Sequence, residues 1–304
     1  MTTAIRLVEL GPDDFAAWRE GLAERMTTVR LRGGYAERQA HDLVTGFLGR
    51  ADPAGATAVV RRVVADGAPV GTVFAGVSSP TAPFLADLDV PPERADATVT
   101  ALGELLAEGG ATELQLSSFV GDAPTEAVVE ARSPRLAATR MQLDLATPTP
   151  EDLVRLEPMT GEQYADYRAV SDEGYAQDLF ASGGFGSLEE ARASAAKQFV
   201  ELLPDGLEST GHRLWHAYAD GRDVGLLWIW LDGAWAYIYD IRMDEALRGR
   251  GYGTGTLRAG ANAARDAGAA YLGLNVFGQN EGARRLYERS GYDTVERFWV
   301  IPLG

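Results

Sequence analysis

Leu247-Arg248-Gly249-Arg250-Gly251-Tyr252-Gly253-Thr254 joins a stretch that alternates like a strand, 234–243, to one with helical spacing, 256–267. A glycine-rich turn at a helix N-terminus gathers backbone N–H groups that have no intrahelical acceptor. Those donors, with the positive end of the helix dipole, suit a pyrophosphate. Glycine permits close approach of the phosphates and positive φ, and Arg248 and Arg250 add fixed positive charge. The spacing fits no dinucleotide fingerprint, and no Gly-Lys-Ser/Thr closes it as in a P-loop.

A second group follows. Residues 271–277 read as a strand, Asn280 to Tyr287 as a helix, and then comes Gly291-Tyr292. Steps of three and four put Asn280, Ala283 and Tyr287 on one helix face. Arg248, Gly251 and Gly253 stand as in the Arg/Gln-x-x-Gly-x-Gly/Ala motif of the GNAT superfamily of N-acetyltransferases. The second group resembles that family's Asn-x-x-Ala-x-x-x-Tyr followed by Gly-Phe/Tyr. Two motifs at a suitable separation, each in its expected context, make the resemblance specific.

The resemblance implies an α/β (α+β) fold: a mixed, mostly antiparallel central sheet with two splayed parallel strands and flanking helices. It implies acetyl-CoA as cofactor, its diphosphate held by Arg248, Gly249, Arg250, Gly251, Tyr252, Gly253 and Thr254. The pantetheine arm is expected along the exposed backbone of Ile241 to Met243, with Asn275, Asn280 and Ala283 beside it. Met243 lies near the place where the family's strand N–H polarises a thioester carbonyl. Tyr287 is the candidate acid for the departing thiolate and Asp240 the candidate base, with Glu173 a second, weaker choice. The implied reaction is direct transfer of acetyl to a primary amine of a small molecule in a ternary complex. A peptide or protein N-acetyltransferase and a non-enzymatic acyl-CoA-binding module are the alternatives.

Composition bounds these readings. The 304 residues contain no cysteine, which excludes disulfides, thiolate metal sites and a cysteine nucleophile. The net charge of −16 disfavours general nucleic-acid binding. The longest apolar run, 224–231, is too short to span a bilayer, and the N-terminus has no basic-then-apolar leader pattern. A cytoplasmic protein, monomeric or homodimeric, with no membrane or nucleic-acid partner is the expectation. His212 and His216 are spaced four apart, but their surroundings read as strand, which disfavours a metal site. Trp228, Trp230 and Trp235 read as core or contact residues before pocket residues.

The chain is also written twice. Ala65-Asp66-Gly67-Ala68-Pro69-Val70-Gly71 is echoed by Ala219-Asp220-Gly221-Arg222-Asp223-Val224-Gly225, each a hairpin signature. Residues 114–119 echo 272–277, and 140–143 echo 298–301 more loosely. Ala146-Thr147-Pro148-Thr149-Pro150-Glu151 reads as a short stiff linker. The expected domains are therefore 1–147 and 148–304. The first has lost the chemistry. Val90-Pro91-Pro92-Glu93 replaces the glycine-rich turn, and Asp122, Thr125 and Val129 stand for Asn280, Ala283 and Tyr287. It reads as a degenerate copy that scaffolds or shapes the substrate cleft. In the second, Ser187 and Glu190 form a capping box before a helix over 187–203, with another helix over 174–180. After the turn at 249–254, Gly260, Ala261 and Ala264 give the next helix a small face for close packing on the sheet.

Overall fold

A computed structural model describes residues 4–55, 57–77, 79–150, 154–182 and 185–303. The chain divides into two compact units, Met1–Thr139 with Thr294–Gly304, and Arg140–Asp293. The linear boundary at 147/148 is thus not where the chain divides. Glu151, at the end of the expected linker, lies outside the described residues.

Unit 1 runs β1 (Ile5–Val8), α1 (Pro12–Arg32), α2 (Glu37–Arg50), β2 (Ala58–Ala65), β3 (Ala68–Gly76), β4 (Phe84–Asp89), α3 (Pro92–Glu108), β5 (Glu113–Ser118), α4 (Ala123–Arg132) and the start of β6 (Arg135–Asp144). It is completed by the last strand of the chain, β12 (Asp293–Pro302), which pairs antiparallel with β5 from Arg297↔Ser118 to Pro302↔Glu113. Ile301 belongs to the same apolar core as Val99, Leu102 and Leu116, with Trp299 and Leu303 against it. The buried Glu296 accepts hydrogen bonds from Tyr35 and Ser117, both 2.6 Å.

Unit 2 runs from the end of β6 through β7 (Arg155–Pro158), α5 (Gly161–Ser182), α6 (Leu188–Leu202), β8 (His212–Ala219), β9 (Arg222–Asp232), β10 (Trp235–Met243), α7 (Tyr252–Asp266), β11 (Tyr271–Phe277) and α8 (Glu281–Arg289). Its strand order is β7-β8-β9-β10-β11-β6. Met141 and Leu145, assigned by position to the first half, are buried in the core of unit 2 with Leu257 and Leu272. Each unit therefore holds the closing strand written in the other half. Strand alternation sets which face of a strand is apolar; it says nothing about which sheet edge the strand joins.

The repeat is legible in backbone detail. Both hairpins turn on Asp-Gly with positive φ at both residues, 53° and 81° at Asp66-Gly67 and 52° and 72° at Asp220-Gly221, as a type I′ turn requires. Gly71 and Gly225 have φ of 155° and 156°. A Cβ there would stand 1.8 Å from the Asp89 carbonyl oxygen and 2.1 Å from that of Arg242.

In unit 2 the helices cover two faces. Tyr167, Phe199 and Leu203 of the α5–α6 side pack on Leu214 and Trp228. α7 and α8 cover the other face, where Leu257, Ala261 and Ala264 meet Leu227, Ile229 and Ile238. Gly260 lies so close to the sheet that a Cβ would be 2.6 Å from Leu227, so the small face of α7 does serve close packing. α5 is one continuous helix from Gly161, much longer than the 174–180 expected. The capping box holds: Ser187 accepts from the Glu190 N–H at 3.2 Å. Glu190 reaches back one residue further than usual, to the Gly186 N–H at 2.9 Å.

Candidate active site

β10 and β11 run parallel and pair only from Trp235↔Tyr271 to Ile238↔Leu274. Beyond that point β10 continues paired to β9 alone, through Asp240↔Trp228, Ile241↔Leu227 and Met243↔Gly225. The edge of β10 from Tyr239 to Met243 therefore has no strand neighbour on the β11 side among the described residues. The parting coincides with a bulge at Tyr239. An extra residue in one strand bends it and turns two successive side chains to one side. Here those are Tyr239, stacked on Trp228 with ring centroids 4.8 Å apart, and Asp240.

At the far end of β10 the chain makes a short turn, Glu245–Leu247, then passes Gly249 (φ 77°) and Gly251 (φ 87°) into α7. Gly251 is the N-cap and supplies no side chain. The first cap-closing bond is Gly255 N–H to Gly251 O at 3.0 Å. The N–H groups of Tyr252, Gly253 and Thr254 precede it. Open space surrounds the positions a Cβ would take at Gly249 and Gly251, so their positive φ alone demands glycine. Arg248 pairs weakly with Glu245 at 3.5 Å and is well exposed, as is Arg250. The Tyr252 side chain turns away: its ring packs near Val154 and Ala217, and its hydroxyl meets Asp220 at 3.3 Å.

α8 brings Tyr287 into the core beside Tyr292, ring centroids 5.9 Å apart. Only 7% of it is exposed, and its hydroxyl makes no hydrogen bond among the described residues. Burial, then the negative charge of Asp240, raises its pKa well above that of a free phenol, so it holds its proton through the neutral range. Asn280 is the N-cap of α8 and not its first residue; its Oδ1 accepts from the Ala283 N–H at 3.1 Å. Asn275 is exposed on the parted end of β11.

Asp240 is held tightly. Its Oδ2 accepts from Tyr167 at 3.0 Å and from Arg242 Nε and Nη2 at 3.0 and 2.6 Å. Arg242 also donates to the Ser171 hydroxyl. Tyr167 and Ser171 lie one turn apart on α5, and burial beside the Asp240 charge pushes the Tyr167 pKa up. Sequence reading missed Tyr167, Ser171 and Arg242. The four-residue spacing on α5 was the available signal, hidden because that helix was expected to begin only at Gly174.

Glu173 does not face this site. It bonds Arg192 of α6 through both oxygens at 2.8 Å, and those hydrogen bonds with one from Gln177 lower its pKa to about 2. It ties α5 to α6. His212 and His216, both on β8, have separate partners on β9. His212 Nδ1 accepts from Trp228 Nε1 at 2.9 Å, and His216 Nδ1 lies 2.5 Å from Asp223. Trp228 is core, and Trp235 stacks on Tyr271.

Parallel strands that part at a bulge, and a glycine-entered helix N-terminus following one of them, define an acetyltransferase fold of the acyl-CoA-using kind. The model of the acetyltransferase (GNAT) family matches residues 185–292, wholly within unit 2. The chain is 35% identical over 148 residues to the uncharacterized N-acetyltransferase YycN of Bacillus subtilis, spanning 94% of that protein and 47% of this one. Over 85 residues it is 35% identical to a mycothiol acetyltransferase of Beutenbergia cavernae, 29% of that protein's length. A solved GCN5-related N-acetyltransferase from Sphaerobacter thermophilus shares the fold over 98% of this chain and 94% of its own, with a TM-score of 0.52 and 16% identity. This chain belongs to the GNAT acetyltransferase family, and it is an acyltransferase. No helix among the described residues is long and apolar enough to cross a membrane.

Proposed function

We propose that the chain transfers an acetyl group from acetyl-CoA to a primary amine of a small molecule, both bound at once. One observation carries this: unit 2 combines an open β10 edge, a helix N-terminus without a side-chain cap, and a buried protonated phenol. The residues fit coenzyme A. The two positive-φ glycines leave open space and undirected N–H groups where a diphosphate needs donors.

Arg248, Gly249, Arg250, Gly251, Tyr252, Gly253 and Thr254 would hold the diphosphate, Tyr252 through its backbone only. Ile241 and Met243 would bind the pantetheine arm by their free backbone groups. Asn275 and the Nδ2 of Asn280 are further donors, and Ala283 is a small wall beside them. Bound acetyl-CoA supplies an activated acetyl group on a thiol leaving group. Tyr287 Oη holds the proton that a departing thiolate needs. Asp240 Oδ1, which accepts no hydrogen bond among the described residues, takes the amine proton directly or through water. Unit 1 is a degenerate copy with no catalytic residue of its own.

Thiol release from acetyl-CoA with a panel of small primary amines, followed by mass detection of product, tests the reading. An N-acetylated small amine is expected. Cofactor binding without turnover would leave an acyl-CoA-binding module, and turnover confined to peptides would move the acceptor class.

A further inference from the structure

Asp240 and Arg242 stand two residues apart on the stretch of β10 that has no β11 neighbour. Strand alternation turns both side chains to one face, and their bonds to Tyr167 and Ser171 show that it is the α5 face. The guanidinium is fixed there. Nε and Nη2 donate to Asp240 Oδ2, Nη2 also donates to Ser171, and the group lies over the Tyr167 ring, 5.2 Å from its centroid. Ser171 is itself tied down, donating to the Tyr167 carbonyl at 2.6 Å. Arg242 Nη1 makes no hydrogen bond among the described residues, and the side chain is 38% exposed. Asp240 Oδ1 is unused in the same way. A locked ion pair on the open strand thus keeps one free acceptor atom and one free donor group.

Neutralising the aspartate does not require this arrangement. In unit 1 the matching Asp87 takes its arginine from the helix, Arg25 of α1 donating at 2.9 Å. The strand position that matches Arg242 is Asp89, because their carbonyl oxygens are the ones that crowd Gly71 and Gly225. The copy that lacks the glycine-entered helix and the phenol therefore keeps a neutralised aspartate, yet has a carboxylate where the other copy has a guanidinium. Arginine on the strand goes with the chemistry and not with the scaffold. A preorganised guanidinium with an unused N–H group binds a carboxylate well.

We infer that Arg242 Nη1 takes a carboxylate of the acceptor while Asp240 Oδ1 takes its amine, so that the small-molecule acceptor is an amino acid. A simple amine meets an aspartate whose charge Arg242 already cancels; a zwitterion finds a partner for each of its charges. This deepens the small-amine reading and rests on it.

The test sets glycine, alanine and longer ω-amino acids each against its own carboxamide, which keeps the amine and removes the negative charge. The full chain is used, saturated with coenzyme A. Binding is read by calorimetry and, with acetyl-CoA, turnover by product mass. The best amino acid is expected to bind about tenfold more tightly than its carboxamide. Arg242→Gln should erase that ratio, with coenzyme A affinity as the check that the variant is folded. Equal binding of acid and carboxamide by the unsubstituted chain, binding of neither, or a ratio that survives in Arg242→Gln overturns the inference. Amino acid binding that depends on Arg242 but yields no N-acetylated product keeps Arg242 as the carboxylate site and sinks the acetyl-transfer reading alone. Acetylation of amines with and without a carboxylate alike, indifferent to Arg242, does the reverse.

Discussion

Two helices follow a parallel strand that has just lost its neighbour: α3 after β4 in unit 1, and α7 after β10 in unit 2. The strands match closely. β4 pairs with β5 only at Phe84↔Gln115 and Leu85↔Leu116, then bulges at Ala86 and presents Asp87, as β10 bulges at Tyr239 and presents Asp240. Each aspartate is met by an arginine: Arg25 at 2.9 Å for Asp87, Arg242 at 2.6 Å for Asp240. The helix entries do not match. α3 begins from Pro91 at φ −57°, with Pro92 in its first turn, so two of the N–H groups that a phosphate would use do not exist. α7 begins from Gly251 at φ 87°. α4 carries Val129 where α8 carries Tyr287. In unit 1 a cavity of about 50 Å³ lies at the parting, lined by residues that include Asp87, Ser117, Phe119 and Asp122. Burial raises the pKa of both carboxylates there. The bulge and the open edge therefore belong to the scaffold, while the donors and the phenol are what chemistry adds to it.

The comparison can be broken most severely at β12. Deleting 294–304 removes Val295, Val300 and Ile301 from the core of unit 1. It should abolish protection from hydrogen exchange in β2 to β5 while β8 to β10 keep theirs; uniform protection throughout would refute the exchange of closing strands. Next, Gly71→Ala and Gly225→Ala should each cost about 3 kcal/mol in denaturant unfolding, since each new Cβ meets a backbone oxygen that cannot move aside. Unequal costs would mean the two close approaches, to Asp89 and to Arg242, are not equivalent.

Tyr287→Phe should lower kcat about 100-fold with coenzyme A affinity unchanged in calorimetry. A valine already fills the matching place in unit 1, so Val129→Tyr should create no activity. Equal turnover in Tyr287→Phe would remove the phenol from the mechanism. The smallest effect is expected at the helix entry. Gly251→Ala strains a left-handed residue and should weaken coenzyme A binding about tenfold, whereas Pro91→Gly should leave it unchanged. A similar loss in both variants would place a cofactor in both units.

Much of this was legible before any coordinates. Asp-Gly at 66–67 and 220–221 encodes a hairpin because both residues tolerate the positive φ of a type I′ turn, which matches strand twist. Gly251 and Gly253 before a helical run, and Asn280 to Tyr287 after a strand, marked both halves of the candidate site because their chemistry is local to a few residues. The capping box at Ser187 and the small face of α7 were local in the same sense.

What tertiary structure decided was contact across distance. The pairing of 297–302 with β5, and the burial of Met141 and Leu145 in unit 2, depend on which sheet edge lies open when a closing strand arrives. Periodicity within a strand carries no record of that. The bulge at Tyr239, which sends Asp240 to Tyr167 and Arg242, is a register shift against β9 and exists only once both strands are paired.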